Sequence, residues 1–304
     1  MPNSKLLVVI TGPTAVGKTG VAIQLAKHFR TSVISADSRQ FYREIPIGTA
    51  QPSLEEMNGV KHHLVASHSI NDQIDSGKYA RMAEEILWAE LKTHDVVVLC
   101  GGSGLYIDAL INGFDELPDA DPEIRNTLRK KFEEEGIAPL QEELKKLDPE
   151  YFATVDVNNH ARIMRALEIC KTAGKKYSEL RKGAKKKNDF EVLTICIDLP
   201  REELYARINQ RVDEMMKAGL EKEARAVFPM KELGALRTVG YKELFEHFEG
   251  KISLAEAVEL IKQHTRNYAK RQLTWWRNEP NIRFYSPFQI ETIIAEIISL
   301  LPNE

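Results

Sequence analysis

Few features of this sequence mark a secreted or membrane-spanning chain. Cysteine occurs three times in 304 residues, at Cys100, Cys170 and Cys196, with no C-x-x-C pair, so we expect neither a disulfide framework nor a zinc site. No apolar run approaches the roughly 20 residues that cross a bilayer, and the start MPNSKLLVVITG has no cleavable signal pattern. We therefore expect a cytoplasmic protein without membrane contact.

The chain also lacks a large excess of either sign of charge, since the net charge is −3. The charged residues are, however, unevenly distributed. Residues 119–150 hold ten Asp and Glu against six Lys and Arg, whereas residues 160–187 hold ten Lys and Arg against two Asp and Glu. The basic segment is either a solvated surface loop or an electrostatic footprint for a nucleic-acid backbone.

Alternating strand and helix patterns predict an α/β fold with a parallel sheet flanked by helices. Five apolar runs have the pattern of strands: Lys5 to Thr11, a run ending at Asp37, a run ending at Cys100, Glu191 to Pro200, and a short run near Asn281. About ninety residues between the third and fourth strands are too many for a simple connection. We expect residues 119–189 to form an inserted helical subdomain, with a helix ending at Gly136 and another at Gly174.

The stretch ITGPTAVGKTGVAIQL carries a complete phosphate-loop pattern, G-x-x-x-x-G-K-[ST]. Such a loop presents backbone N–H groups at a helix amino terminus, and here Lys18 adds a charge while Thr19 can ligate Mg²⁺. The fold class is therefore a phosphate-loop NTPase-like sheet. The predicted phosphate-binding residues are Gly12, Pro13, Thr14, Ala15, Val16, Gly17, Lys18 and Thr19.

A metal-binding acid is missing where a phosphate-loop NTPase usually carries one. The strand VVVLC runs directly into Gly101-Gly102-Ser103-Gly104, which disfavours a nucleotide kinase or ATPase. The acid best placed at a strand end is Asp37, in ADSRQFY. It could be a helix cap, but its expected place beside the phosphate loop favours a site role. A carboxylate beside a diphosphate suits a reaction in which diphosphate leaves and the nucleophile loses a proton.

Nine motifs, in this order, resemble the tRNA dimethylallyltransferases, also called tRNA isopentenyltransferases. They are GPTAVGKT, DSRQFY, IGTAQPS, HHL, GGSGLY, RIMRALE, GLEKEA, LRTVGYKEL and TRNYAKRQLTWWR, and they extend over nearly the whole chain. The resemblance implies transfer of a dimethylallyl group from dimethylallyl diphosphate to N6 of the adenosine just 3′ of the anticodon, with Mg²⁺. It also implies a catalytic core of residues 1–118 and 190–304 and contact between the insertion, 119–189, and the tRNA anticodon stem.

The resemblance implies residue roles as well. Asp37 matches the general base, Thr19 and Arg237 match the pair that contacts the donor diphosphate, and Thr19 is the metal-ligand candidate. The implied tRNA contacts are Asp37, Ser38, Arg39, Gln40, Ser103, Arg125, His160, Ala161, Arg162, Ile163, Met164, Arg237, Thr238, Val239, Gly240, Tyr241 and Lys242. Ala161 stands where many bacterial members have Gln, so no base-reading role is assigned to it.

Several other side chains have two interpretations. We expect His62 and His63 to be structural rather than metal ligands, since adjacent residues point different ways. Arg207 and Arg211 are either a solvated face or arginines that reach the diphosphate. We place Trp275 and Trp276 in the core. The basic residues around them are expected to contact the RNA backbone: Arg266, Lys270, Arg271 and Arg277.

Three functions remain open from the residues themselves. They are tRNA prenyl transfer, an enzyme acting on free nucleotide (an adenylate isopentenyltransferase or a nucleotide kinase), and a phosphate-loop regulator that binds RNA without catalysis. The basic segment favours tRNA over free nucleotide. Intact Asp37, Lys18 and Thr19 disfavour the non-catalytic interpretation, and we expect a monomer.

Overall fold

The computed structural model describes residues 5–113, 115, 117–118, 121–181, 183 and 187–302. The chain forms two compact units, Met1–Ile111 together with Lys187–Glu304, and Asn112–Lys186. We call them the sheet unit and the helical unit. The sequence placed the start of the insertion at residue 119 and its end at residue 189, a few residues later than the limits of the helical unit.

The strands of the sheet unit, within the described residues, form one six-stranded parallel sheet in the order β3-β2-β4-β1-β5-β6. They are β1 (Leu6–Thr11), β2 (Val33–Ser35), β3 (His62–His63), β4 (Val96–Cys100), β5 (Glu191–Ile197) and β6 (Arg283–Tyr285). The five predicted strands are present, and β3 is an additional edge strand of two residues that the sequence did not indicate.

Helices fill the connections between the strands. In chain order they are α1 (Lys18–His28), α2 (Leu54–Met57), α3 (Ser76–Leu91), α4 (Gly104–Asn112), α5 (Pro122–Glu135), α6 (Ala138–Leu147), α7 (Pro149–Phe152), α8 (His160–Ala173), α9 (Tyr177–Leu180), α10 (Arg201–Lys217), α11 (Leu220–Val227), α12 (Tyr241–Phe248), α13 (Leu254–Arg277) and α14 (Ile290–Leu300). Short 3₁₀ turns lie at Phe228–Met230 and Gly234–Leu236. Among the described residues, no helix combines the length and the apolar character needed to cross a membrane.

Both faces of the sheet are buried, because alternate residues of each strand point to opposite sides. Leu7 and Val9 of β1 belong to one apolar cluster, and Leu6, Val8 and Ile10 belong to the other. The first cluster is covered by α3, α4, α11 and α12, and the second by α1 and α14. The sheet is therefore a fixed platform whose carboxyl edge carries the loops.

The helical unit has its own core, formed by Leu128, Leu140, Leu144, Ile163 and Leu167. Its helix ends follow the capping signals in the sequence. The carboxylate of Asp121 accepts a hydrogen bond from the N–H of Glu123 at 2.8 Å to begin α5. Gly136 (φ 77°) and Gly174 (φ 63°) end α5 and α8 in the left-handed half of backbone space.

Candidate active site

The phosphate loop is shaped by backbone that side chains would not tolerate. Gly12 has φ 135°, and a Cβ there would lie 2.3 Å from the carbonyl oxygen of Ile197 on β5. Ala15 and Gly17 also have positive φ, 64° and 103°, and Gly17 leads directly into α1. This curvature turns successive N–H groups toward one concavity, which is the geometry of an anion site.

Lys18 lies in that concavity and folds back over its own loop. Its Nζ donates a hydrogen bond to the carbonyl oxygen of Pro13 at 2.7 Å. Burial lowers the pKa of Lys18, while the neighbouring Cys100 and Asp37 act in the opposite direction. A partly desolvated ammonium interacts more strongly with an anion than one in water, because less solvent screens it.

The glycines after β4 explain why no acid stands there. A Cβ at Gly101 would lie 2.2 Å from the backbone oxygen of Ala36, and one at Gly102 would lie 2.2 Å from Nε2 of Gln272. At Gly104 it would meet the indole Nε1 of Trp275 at 2.5 Å. Close approach of β2 and α13 thus occupies the space that a side chain would need.

Asp37 follows β2. It combines the two roles that the sequence offered as alternatives, a cap of the local turn and a side chain in the candidate site. Its Oδ1 accepts hydrogen bonds from the N–H groups of Arg39 at 2.9 Å and Gln40 at 3.4 Å, so it organises a turn as a cap would. Its Oδ2 accepts no hydrogen bond from the described residues. The turn at Asp37 is linked to the GGSG loop through Ser103, whose Oγ accepts a hydrogen bond from the N–H of Ser38 at 3.0 Å.

Two adjacent cavities lie at this carboxyl edge of the sheet unit. The loop cavity has a volume of about 440 Å³ and includes the phosphate loop, Lys18 and Thr19. The outer cavity has a volume of about 540 Å³ and is lined by basic residues that include Arg39, Arg237 and Arg271. Both are lined by Thr14, Asp37, Thr49, Arg211 and Tyr268. Asp37 therefore lies at the junction of the two spaces.

Arg211, which the sequence left undecided, belongs to the cavities. Its Nη1 lies 3.5 Å from Oγ1 of Thr14 in the phosphate loop. Burial lowers the pKa of Arg211, and the Asp37 carboxylate opposes that shift. Arg207, one turn earlier on α10, lines the loop cavity as well and pairs with Glu203 at 2.8 Å. The helix α10 therefore presents two cations to the phosphate loop.

The RTVGYK segment divides between the outer cavity and the core. Arg237, Thr238, Val239, Gly240 and Lys242 line the outer cavity. The side chain of Tyr241 is fully buried, so the expectation that it contacts tRNA is wrong for this side chain. Its hydroxyl donates to Glu223 at 2.5 Å.

Glu223 carries a supporting role that the sequence did not reveal. Its carboxylate accepts hydrogen bonds from the N–H groups of Ile47 and Gly48, both at 2.8 Å. A Cβ at Gly48 would lie 2.4 Å from the Tyr241 hydroxyl. Glu223 and Tyr241 thus hold the IGTA loop, from which Thr49 and Ala50 line the loop cavity.

Among the remaining predicted tRNA contacts, Ser103 belongs to the sheet unit but lines neither cavity, and the others are residues of the helical unit. The side chain of Ile163 is buried in its core, so direct contact through that side chain is a wrong prediction. His160 is stacked on Phe132 with ring centroids 4.6 Å apart, Met164 packs against the core, and Ala161 and Arg162 are exposed. Arg125 pairs with Glu168 at 2.7 Å. Lys182, Lys185 and Lys186 of the basic segment lie outside the described residues.

Of the paired tryptophans, only Trp276 is buried, whereas Trp275 is 37% exposed. The prediction that both lie in the core is wrong for Trp275, because adjacent helical residues point about 100° apart. The same helix, α13, brings Tyr268, Arg271 and Gln272 to the cavities. Arg266 instead donates to Asn209 at 2.6 Å, and Arg277 pairs with Asp198 at 3.2 Å.

The two histidines have protein partners, in agreement with a structural role. Nδ1 of His62 lies 2.9 Å from the carbonyl oxygen of Val60, and Nε2 of His63 lies 3.0 Å from Oε1 of Glu90. Burial lowers the pKa of both.

The donor atoms of the loop cavity fit a hard divalent cation. Thr19 offers a hydroxyl and Asp37 a carboxylate to this space, and Mg²⁺ typically takes one or two protein oxygens together with phosphate oxygens and water. In the part of the chain that the structure describes, no group of three or more His, Cys, Asp or Glu forms a self-sufficient metal site. The residues present therefore suit a metal that arrives with a phosphorylated ligand.

The fold and the cavities define a class, an α/β phosphate-loop protein with a carboxylate between the phosphate-loop cavity and a basic cleft. The profile of the IPP transferase family matches residues 40–279. A tRNA dimethylallyltransferase of Cytophaga hutchinsonii is 44% identical over 294 residues, covering 97% of each chain. On these similarities, the chain belongs to the IPP transferase family.

Solved structures give the same relationship. A tRNA isopentenylpyrophosphate transferase of Bacillus halodurans is 35% identical, with a TM-score of 0.72 and coverage of 97% of this chain and 96% of the other. A eukaryotic dimethylallyltransferase acting on tRNA is 26% identical, with a TM-score of 0.79 and coverage of 99% and 81%.

Proposed function

We propose that this chain transfers a dimethylallyl group from dimethylallyl diphosphate to the exocyclic N6 of the adenosine just 3′ of the anticodon in tRNA, and releases diphosphate. Prenyl transfer to tRNA is supported by the relatives, which carry the names tRNA dimethylallyltransferase and tRNA isopentenylpyrophosphate transferase. One structural observation carries the proposal: an anion-binding cavity and a basic cavity meet at a single carboxylate, Asp37.

In this proposal the loop cavity holds the donor diphosphate. Ala15, Gly17, Lys18 and Thr19 of the phosphate loop line it together with Arg211, and all are positioned before the donor binds. Preorganised donors of this kind stabilise the charge that grows on a leaving diphosphate. Arg237 faces the outer cavity and approaches the reacting centre from the acceptor side. Bound Mg²⁺, held by the Thr19 hydroxyl together with the diphosphate, would further neutralise that charge.

The reaction needs one bond made and one bond broken. N6 of the adenosine forms a bond to C1 of the dimethylallyl group, and the bond between C1 and the diphosphate oxygen breaks with its electron pair on the diphosphate. N6 then carries a surplus proton, which Asp37 accepts. Because Oδ1 of Asp37 is held by Arg39 and Gln40, the carboxylate keeps a fixed orientation toward the junction of the cavities. Orientation of this kind favours proton transfer.

The outer cavity supplies the acceptor side. Its basic lining suits a ribose-phosphate backbone, since cations at the surface attract it without reading sequence. An adenine must leave its stack to reach Asp37, which costs little in a single-stranded anticodon loop. We further propose that the reaction takes place in the cytoplasm, where tRNA is available, and that the chain acts as a monomer, since one chain supplies both cavities.

Incubation with dimethylallyl diphosphate and Mg²⁺, with either total tRNA or AMP as acceptor, tests the proposal. Nucleoside mass analysis should find dimethylallyl-adenosine in digested tRNA and none in AMP. Modified AMP with unmodified tRNA would instead support an enzyme of free nucleotide. ATP hydrolysis without prenyl transfer would contradict the proposal altogether.

A further inference from the structure

Gln272 links three segments of the site through one buried amide. It lies on α13 and is only 7% exposed. Its Oε1 accepts a hydrogen bond from the N–H of Thr14 in the phosphate loop at 2.9 Å. Its Nε2 donates to the carbonyl oxygen of Gly102, after β4, at 2.9 Å. The helix, the phosphate loop and the GGSG loop therefore meet at this side chain.

The two partners fix the chemistry that this position requires. An N–H of Thr14 needs an acceptor and a C=O of Gly102 needs a donor, and an amide offers both in a single plane. A carboxylate of the same size would place an acceptor against the Gly102 carbonyl. An apolar side chain of the same length would leave the Thr14 N–H and the Gly102 carbonyl buried without hydrogen-bond partners. Gln is thus selected by its hydrogen bonds and not by its volume.

The space around the amide is equally specific. A Cβ at Gly102 would lie 2.2 Å from Nε2 of Gln272, so the glycine makes room for the amide. Tyr268 and Arg271, four and one residues earlier on α13, line the outer cavity. The helix that forms part of the acceptor wall is therefore the helix that holds the phosphate loop.

We propose that Gln272 is a positioning residue, which sets the curvature of residues 12–19 for diphosphate through its bond to the Thr14 N–H. This inference rests on the proposed function for the identity of the donor. Because Gln272 acts on the loop, its loss should weaken diphosphate binding more than tRNA binding.

The test compares Gln272→Met and Gln272→Glu with wild type and with Gln263→Met, an exposed glutamine on the same helix. Four quantities are measured: the Kd of inorganic pyrophosphate with Mg²⁺ by calorimetry, the Kd of tRNA, donor KM and kcat in prenyl transfer, and Tm. We expect pyrophosphate to bind about 10- to 100-fold more weakly in both Gln272 variants. The tRNA Kd should change less than about threefold, and Gln263→Met should match wild type.

A second variant addresses the same contact from the other side. Gly102→Ala should displace the amide and reproduce the loss of pyrophosphate affinity. Combined with Gln272→Ala, whose shorter side chain vacates that space, it should add little further loss, since both changes remove one contact.

Some outcomes would overturn the inference. One is a folded Gln272→Met that binds pyrophosphate as tightly as wild type. The other is a fall in Tm together with equal fold losses of affinity for pyrophosphate and for tRNA, which would indicate a general packing role for α13. Because pyrophosphate binding needs no acceptor, these outcomes leave the proposed reaction untouched. Failure of wild type to prenylate tRNA would instead contradict the proposed function.

Discussion

The loop cavity and the outer cavity share a wall but differ in how they are built. One wall of the loop cavity is the phosphate loop, bent by positive φ at Gly12, Ala15 and Gly17, and burial lowers the pKa of the cations Lys18 and Arg211. The outer cavity instead carries exposed cations, such as Arg237, whose side chain is 46% exposed and pairs with Glu232. In the proposed reaction the small diphosphate would meet the bent backbone of the phosphate loop, whereas the large tRNA polyanion would meet exposed side chains that can adjust.

This difference has consequences for mutation and for salt. Rigid backbone donors are costly to disturb, because no other group can replace a displaced N–H. Exposed cations are screened by ions and substitute for one another in part. We therefore expect changes at the loop cavity to act on turnover and donor affinity. Changes at the outer cavity should act mainly on tRNA affinity, except at Arg237, which we propose also faces the donor.

The largest effect is expected at the junction of the two cavities. Asp37→Asn keeps the Oδ1 acceptor for Arg39 and Gln40 but removes the base, so kcat should fall by about 10²–10⁴ while the tRNA Kd changes little. Single-turnover prenyl transfer measures this. Asp72→Asn, at another turn of the sheet unit where the carboxylate caps the N–H of Ser69, is the matched control. Near-normal turnover of Asp37→Asn would reduce Asp37 to a turn-forming residue.

Next in size is a comparison of two arginines. Arg211→Ala removes a cation from the phosphate loop, and we expect donor kcat/KM to fall by about 10- to 100-fold. Arg237→Ala should raise the donor KM and lower kcat as well, because the growing charge on diphosphate lies between the cavities. The steady-state constants for donor and tRNA separate the two. A change confined to tRNA affinity would assign Arg237 to the RNA surface.

A smaller effect is expected from pH. Only protonated Lys18 attracts the diphosphate, and burial lowers its pKa from the ordinary lysine value of 10.5. The donor affinity of wild type should therefore begin to fall, as pH rises, at a lower pH than an ordinary lysine would give. Donor Kd is measured from pH 8 upward in wild type, in Lys18→Met and in Lys27→Met, an exposed control. A wild-type profile as flat as that of Lys18→Met would contradict this assignment.

The smallest change concerns the basic segment. Replacing Lys185, Lys186 and Lys187 with Ala should weaken all tRNAs alike and flatten the plot of log affinity against log salt by roughly one unit per lost contact. Lys185 and Lys186 lie outside the described residues, so this prediction rests on charge alone. Transfer to saturating tRNA should be unchanged. Superimposable salt plots would mark the segment as a solvated loop.

Much of the fold could be predicted because its signals are local. The β-branched runs of β1, β4 and β5 and the caps at Asp121, Gly136 and Gly174 each specify their own element within a few residues. The two-residue strand β3 gives no periodicity, since His62 and His63 pair with β2 only through backbone. The misplaced Trp275 could have been recognised, because adjacent residues of a helix point about 100° apart and two adjacent indoles are too large to enter one core side by side.

In the candidate site, too, residues with local sequence signals could be predicted and residues with distant partners could not. The phosphate loop and Asp37 follow from short patterns next to strands. Gln272 and Glu223 do not, because their partners Thr14 and Ile47 are 258 and 176 residues away in the chain. A polar side chain in an amphipathic helix has the same local pattern whether it faces water or a distant loop. The glycines of GGSG were the available signal, since each one marks a close approach without naming the neighbour.

The order of the strands also governs when the site can exist during synthesis. β1 lies between β4 and β5, and the helical unit separates these two neighbours in the chain. The phosphate loop leaves the ribosome early, but it waits for β5 to cover Gly12 and for α13 to deliver Gln272. A nascent chain therefore carries the loop sequence long before it carries the loop geometry. A chain that stops before α13 therefore lacks the side chain that bonds the phosphate loop at Thr14.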